Sequence, residues 1–223
     1  MFDRQQTVAS VVLEHSECAQ VFQQRRIDFC CHGHVTVEEA ASAKGIDVAS
    51  LLAELSRVVA ERRDEPLEDP RALATPALVE HIVSRHHDYL RRALPYVRAL
   101  MEKVSRVHGD HNPKLRELEP LVDEIADALL VHLDMEEQQL FPALMAAAVD
   151  PVSARALLGS MVDDHHAVAA LLERIREAGD DFTPPDWACN SYRTLFAELE
   201  DLEADVFRHV HLEHHVLEPR FVA

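Results

Sequence analysis

Residues 132–142 read HLDMEEQQLFP, and residues 209–219 read HVHLEHHVLEP. Both stretches fit the pattern H-x-x-x-E-x-x-x-L-x-P, and the second begins 77 residues after the first. Residues four apart lie on one face of an α-helix, so each copy places an imidazole beside a carboxylate, at His132/Glu136 and at His209/Glu213. A repeat of this length predicts two related helical hairpins.

The position of each pair on its helix matters more than the spacing, because the chain also contains H-x-x-x-E at His34 and at His214. In the two repeats, both residues lie on an apolar stripe of the kind that faces a helix-bundle core. These stripes are Val122, Ile125, Leu129, His132, Glu136 and Leu140 in one helix, and Leu195, Leu199, Leu202, Val206, His209, Glu213 and Val216 in the other. Both pairs are therefore predicted to point inward, whereas His211 and His215 are predicted to face solvent.

A pair of adjacent histidines precedes each copy, in the stretches RHHD and DHHA. Position on the helix distinguishes the two histidines of each pair. His87 and His165 each continue an apolar stripe of three-four spacing, whereas His86 and His166 do not. The sequence thus predicts six inward side chains: His87, His132, Glu136, His165, His209 and Glu213. Nearby carboxylates are expected to be solvated charges rather than groups that orient these imidazoles: Asp88, Asp134, Glu137 and Asp164.

These six side chains would be costly to bury on their own. Burying imidazoles and carboxylates without compensation costs several kcal/mol, and two neighbouring carboxylates repel each other. Metal cations remove both penalties, and imidazole plus carboxylate without thiolate favours iron, manganese or zinc. The two similar halves predict two metal ions that the glutamates are able to bridge. A purely structural pair of zinc ions is the alternative.

The composition predicts an all-α fold, since the chain has only five glycines and its apolar residues recur at three-four spacing. Residues 77–223 are predicted to form an antiparallel four-helix bundle, with helices at about 76–107, 114–148, 151–178 and 185–217. Residues 1–65 are predicted to form a small helical domain, with helices beginning near Thr7, after Thr36 and at Asp47. The proline-bearing residues 66–76 are predicted to be a linker.

The charge of the chain excludes two classes of partner. Forty acidic residues against 22 Lys and Arg give a formal net charge of −18, which would repel nucleic acid and anionic membranes. The N-terminal stretch lacks the basic flank and apolar run of a signal peptide, and no 18-residue apolar segment occurs. A cytoplasmic location is therefore expected.

The stretch DFCCHGH at residues 28–34 contains two of the four cysteines, side by side. A disulfide between Cys30 and Cys31 would join Cα atoms about 3.8 Å apart, below the usual range, so free thiols are expected. His32 and His34 either join these thiols in a transient metal site or are exposed turn residues. Cys18 and Cys189 are expected to be inert small apolar residues within helices.

The bundle pattern resembles the hemerythrin-like di-iron domain, and together with the upstream DFCCHG the whole chain resembles the RIC family of iron–sulfur cluster repair proteins. The resemblance implies two non-haem iron ions, oxo- and carboxylate-bridged, held by the six bundle side chains. It implies that Cys30 and Cys31 are the reactive thiols of redox or transfer steps. Damaged iron–sulfur proteins are the implied partners, with nitric oxide or oxygen as small ligands, and a homodimer is left open.

Three departures from this pattern bear on function. His32 stands where similar proteins usually have glycine, and Leu217-Glu218-Pro219 lacks the phenylalanine of the LFP stretch at 140–142. Ala169 stands where oxygen carriers place an extra histidine, which leaves more open coordination and favours reactive chemistry. Reduction of nitric oxide at the same centre is a related enzymatic reading. A sensor or storage protein for oxygen, nitric oxide or iron, without catalysis, is the alternative.

Overall fold

A computed structural model describes residues 2–61 and 69–222 of the chain. Regular structure in these residues is helical, with one isolated bridge between Thr7 and Thr36, so the all-α prediction is confirmed. Among the helices of the described residues, none has the length and apolar character needed to cross a membrane.

The N-terminal part contains four short helices, which we label α1 (Val8–Glu14), α2 (Cys18–Gln24), α3 (Val37–Ala43) and α4 (Val48–Glu61). The single helix expected from Thr7 is two helices, because His15 leaves the helical conformation at φ −141° and ψ 81°. Thr36 and Glu39 form a reciprocal capping box at the start of α3, as their spacing predicts. Asp47 caps α4 by accepting the Ser50 N–H at 2.9 Å.

The remaining helices are α5 (Thr75–Ile82), α6 (Asp88–His108), α7 (Lys114–Met135), α8 (Phe141–Leu144), α9 (Pro151–Ala178) and α10 (Asn190–Leu212). Three π-helical turns continue these helices: Val83–His87, Glu136–Leu140 and Glu213–Leu217. The structure therefore contains the four long helical segments that the sequence predicts. The fourth begins at Asn190 rather than at 185, because Pro185 belongs to a turn in which its carbonyl accepts the Ala188 N–H.

The described residues form two compact units. The first unit consists of the described residues up to Ala74 together with Phe207–Phe221, and the second consists of Thr75–Val206 and Val222. Helix α10 therefore contributes its last turns to the first unit and its earlier turns to the second. The predicted domain end at 65 and the first linker residues, 66–68, lie outside the described residues, so the predicted boundaries stay a prediction. Within the described part of that linker, Pro70–Ala72 forms a single 3-10 turn.

Each unit has an apolar core of its own. In the first unit, residues of α1 to α4 surround the fully buried Phe22, and the Phe29 ring packs edge-on against Phe207 at 5.9 Å between centroids. In the second unit, α6 packs on α7, and α7 packs on α9. The apolar residues that this unit contributes to the two predicted stripes are buried: Val122, Ile125, Leu129, Leu140, Leu195, Leu199, Leu202 and Val206. Apolar burial of this kind is the main favourable contribution to folding.

Candidate metal centre

All six predicted inward side chains are buried. None of them is more than 2% exposed: His87, His132, Glu136, His165, His209 and Glu213. The choice between neighbouring histidines on α9 is also clear, because His166 is exposed where His165 is buried. His86 differs from this pattern, since it is buried as well and its Nδ1 lies 2.9 Å from Asp205 Oδ1.

Three of these side chains lie on the π-helical turns. His87 ends the first turn, Glu136 begins the second and Glu213 begins the third. A π turn shifts the register of the helix by one residue and is frequent at functional sites. The spacing test missed these turns because it assumes a regular α-helix. For the second and third turns a signal was available in the shared proline of the repeat, Pro142 or Pro219, which cannot supply the N–H that a regular helix needs.

Within the second unit, Glu136 stands between histidines from three helical segments. Its Oε1 lies 3.2 Å from His132 Nε2 and 4.0 Å from His165 Nε2, while its Oε2 lies 3.4 Å from His87 Nε2. The Nε2 atoms of His132 and His165 are 3.0 Å apart. The two oxygens of one carboxylate thus face different histidines, which is the arrangement that a bridging ligand requires.

The second repeat forms an equivalent pair, in which His209 Nε2 lies 3.0 Å from Glu213 Oε1. This pair lies in the first unit, whereas His87, His132, Glu136 and His165 lie in the second. Each repeat therefore supplies one buried glutamate with an imidazole beside it.

The spacing of these atoms fits coordinated metal ions. Nitrogen and oxygen ligands at about 2.1 Å from an ion stand about 3.0 Å apart in octahedral and about 3.4 Å apart in tetrahedral geometry. The His132–His165, His132–Glu136, His87–Glu136 and His209–Glu213 separations, from 3.0 to 3.4 Å, fall in that interval. The donors are imidazole nitrogens and carboxylate oxygens, which suit iron, manganese or zinc.

A carboxylate outside this set hydrogen-bonds one of the imidazoles, and a second carboxylate approaches another. His87 Nδ1 donates to Glu137 Oε1 at 2.9 Å, and Arg91 in turn donates to that oxygen at 3.1 Å. Asp164 Oδ2 lies 3.5 Å from His132 Nδ1. A hydrogen bond at Nδ1 fixes the tautomer that leaves Nε2 able to coordinate. The expectation that Glu137 is merely a solvated charge is therefore wrong, because its carboxylate is two-thirds buried against His87 and Arg91.

The cysteine pair lies in a loop organised by Asp28. Asp28 Oδ1 accepts the N–H groups of Cys30 and Cys31, each at 2.9 Å, and the Cys30 thiol at 3.1 Å. His32 Nδ1 lies 2.7 Å from Asp28 Oδ2. Burial raises the Asp28 pKa, but the hydrogen bonds from His32, Cys30 and Cys31 outweigh it and hold the pKa below its usual value. The Cys30 thiol is buried, and burial raises its pKa well above the ordinary value.

Two histidines that were predicted to face solvent bind this loop instead. His211 is 3% exposed, and its Nδ1 donates to the Phe29 carbonyl at 3.1 Å. His215 Nε2 donates to the Cys30 carbonyl at 2.7 Å. Burial lowers the pKa of His211 to about 3, so this imidazole is neutral. A search for one apolar stripe could not identify either residue, because it assumes a single buried face. The last turns of this helical segment have a second face, which the loop covers.

The two isolated cysteines differ from each other. Cys18 is fully buried, and burial raises its pKa to about 12, which agrees with an inert thiol. Cys189 is exposed and precedes α10, so the expectation that it lies within a helix is wrong. Its Sγ lies 3.2 Å from His108 Nε2.

Two protein-family models match the chain. The family model of the hemerythrin HHE cation binding domain matches residues 78–221. A second model, described as a domain of unknown function (DUF542), matches residues 4–59. The hemerythrin match contains all six buried ligand candidates and confirms the hemerythrin-like interpretation of the bundle.

Relatives match the chain over almost its whole length. The iron–sulfur cluster repair protein ScdA of Staphylococcus haemolyticus is 33% identical over 99% of this chain and 100% of its own length. The iron–sulfur cluster repair protein YtfE of Yersinia pseudotuberculosis is 32% identical over 97% of this chain and 96% of its own. The chain belongs to the ScdA/YtfE family. Membership in the ScdA/YtfE family confirms the resemblance read from the paired cysteines and the repeated H-x-x-x-E motif.

Proposed function

We propose that this chain is a cytosolic non-haem di-iron protein that supports the repair of iron–sulfur clusters damaged by nitrosative or oxidative stress. The observation that carries the proposal is the buried set of four histidines and two glutamates in a chain similar to repair proteins over nearly its whole length. The relatives' names favour this function over a sensor or storage protein.

In the proposed centre, His132 and His165 would hold one iron, His87 and His209 would hold the other, and Glu136 and Glu213 would be shared by both. The 3.0 Å separation between the Nε2 atoms of His132 and His165 supports assigning these two histidines to the same ion. Bound iron would supply a redox-active Lewis acid that takes nitric oxide or oxygen as a small ligand. Glu137 keeps the Nε2 lone pair of His87 directed at the centre, and the buried seams exclude water from it.

Damaged iron–sulfur proteins are the proposed partners. Cys30 and Cys31 are the proposed groups that pass iron or electrons during repair. Cys31 is half-buried, whereas Cys30 is covered, so Cys31 is the thiol that a partner would meet first. Nitric oxide reduction at the di-iron centre would be an enzymatic form of the same protection.

The test uses the purified full-length protein. It is expected to contain about two irons per chain and to reactivate a cluster-damaged enzyme in an iron-dependent way. The double variant Cys30→Ser/Cys31→Ser should keep the bundle iron, which also reports that it is folded, and should lose reactivation. A colourless zinc protein, or a His132→Ala variant that keeps its full iron content, would contradict the proposal.

A further inference from the structure

The loop at residues 28–32 brings together one carboxylate and two thiols. The ligand atoms of Asp28, Cys30 and Cys31 lie within 4.8 Å of one another. The two Sγ atoms are 3.8 Å apart, and Asp28 Oδ1 lies 3.1 Å from Cys30 Sγ. This cluster contains sulfur donors, which sets it apart from the six nitrogen and oxygen ligands of the bundle.

The separation of the two sulfur atoms matches a shared metal ion rather than a disulfide. Two thiolates bound at about 2.3 Å to one tetrahedral ion stand about 3.8 Å apart. A disulfide would need a sulfur–sulfur distance of about 2.05 Å, and adjacent cysteines meet that geometry poorly. Both cysteines are free in the structure at 3.8 Å. Little movement is therefore needed to place one cation between them.

The loop is held in this shape by contacts that do not use the thiols. His211 and His215 bind the carbonyls of Phe29 and Cys30, as described above. Gly33 packs so closely that an added Cβ would lie 2.4 Å from the Phe29 carbonyl oxygen and 2.8 Å from Ala9 Cβ. A loop fixed through its backbone keeps its side-chain donors in place before a ligand arrives, which lowers the cost of binding.

We propose that Asp28, Cys30 and Cys31 form a second metal site, for one borderline-soft divalent cation, Fe²⁺ or Zn²⁺. On binding, each thiol gives its proton to solvent and forms a sulfur–metal bond, and Asp28 supplies an oxygen ligand. Thiolate and carboxylate together suit both ions. His32 is a positioning residue, because its ring nitrogen holds Asp28 Oδ2 at 2.7 Å while its side chain is 65% exposed.

A site with three protein ligands leaves the fourth position of a tetrahedral ion open, so the cation can be exchanged. The half-buried Cys31 and the exposed His32 mark the side that is open to solvent. This inference deepens the transfer role proposed for the thiols and rests on that function for its purpose. The binding step itself does not depend on iron in the bundle.

The test uses the full-length protein, first loaded with iron and freed of excess metal, and then titrated with Co²⁺ under reducing, anaerobic conditions. We expect a thiolate-to-cobalt charge-transfer band in the near ultraviolet that saturates at about one Co²⁺ per chain. Cobalt bound by the nitrogen and oxygen ligands of the bundle gives no such band. Subsequent addition of Fe²⁺ or Zn²⁺ should abolish the band and rank the two ions.

Three variants and one control define the site. Cys31→Ser and Asp28→Asn should lose the band or need at least about 10-fold more Co²⁺, and His32→Gly should weaken binding about 10-fold. Cys189→Ser removes an exposed thiol elsewhere and should leave the titration unchanged. Absence of the band, or its survival in Cys31→Ser, overturns the second site. An intact band in a protein whose bundle retains no iron overturns the di-iron function and leaves the second site standing.

Discussion

Glu137 holds His87 from behind: its Oε1 accepts the Nδ1–H of that histidine at 2.9 Å, while His87 Nε2 faces Glu136 at 3.4 Å. Arg91 anchors the same carboxylate, and it also bonds Asp134 at 2.7 Å. One imidazole is thus fixed between a fully buried carboxylate on its coordinating side and a two-thirds buried one on the other.

Glu137→Gln should therefore lower the iron affinity of the centre about 10-fold to 100-fold without unfolding the protein. The amide still accepts a hydrogen bond, but it loses the negative charge that makes the imidazole a better ligand. Iron retention against a graded chelator series measures the effect. Asp88→Asn is the control, because Asp88 is an exposed carboxylate that directly follows His87 in the sequence. Equal iron retention in the two variants would show that Glu137 does not orient His87 for metal binding.

The adjacent histidines of α9 offer a second comparison. His165 is 1% exposed with its Nε2 3.0 Å from that of His132, whereas His166 is exposed. His165→Ala should reduce bound iron to about half or less, since it removes one of the two imidazoles proposed to hold one iron. His166→Ala should leave the iron content unchanged. Metal analysis of both purified variants measures their iron content. An equal loss of iron in the two would mean that the substitutions act through helix stability rather than through coordination.

The success and the failures of sequence reasoning at this centre have one physical origin. A stripe of residues three and four apart reports which face of a helix is buried, so it predicted the burial of His87, His132 and Glu136. It does not report local changes of helical register, so the π turns at His87 and Glu136 were missed. Pro142 was an available sign of the turn at Glu136, whereas Tyr89 stands at the equivalent position after the turn at His87.

Residues that contact a loop rather than a helix are harder to predict from periodicity. His211 and His215 receive their partners from the Phe29 and Cys30 carbonyls, more than 180 residues away in sequence. No pattern within α10 indicates such a contact. Similarly, Cys189 was expected in a helix, but the two prolines before it keep the chain outside α10 until Asn190.

The buried Cys18 thiol should make the stability of the fold depend on pH in the alkaline range. Burial raises the Cys18 pKa from 9.0 to about 12 in the folded chain, so the folded state keeps this proton at pH values where the unfolded chain loses it. The contribution of the protonated Cys18 thiol to the free energy of unfolding is therefore at its full value below about pH 9. It decreases as the pH rises towards 12, by about 1.4 kcal/mol per pH unit at most.

Alkylation in the native protein at pH 8 tests the same difference. Iodoacetamide should modify the exposed Cys189 readily and should reach Cys18 only after denaturant is added, because reaction needs an accessible thiolate. Peptide mass analysis identifies the modified residues. Modification of Cys18 at the rate of Cys189 in native protein would show that α2 opens locally on the time scale of the reaction.

Two glycine substitutions should change stability in opposite directions. An added Cβ at Gly33 would lie 2.4 Å from the Phe29 carbonyl oxygen, whereas one at Gly159, within α9, would meet nothing within 4 Å. Gly33→Ala should therefore destabilise the fold by about 1–3 kcal/mol through overpacking. Gly159→Ala should stabilise it by up to about 1 kcal/mol, because alanine favours the helix over the unfolded chain. Thermal unfolding of the iron-loaded variants measures both changes. If Gly33→Ala were as stable as the parent protein, the cysteine loop would be mobile enough to accommodate the methyl group. That result would contradict the rigid loop on which the second metal site depends.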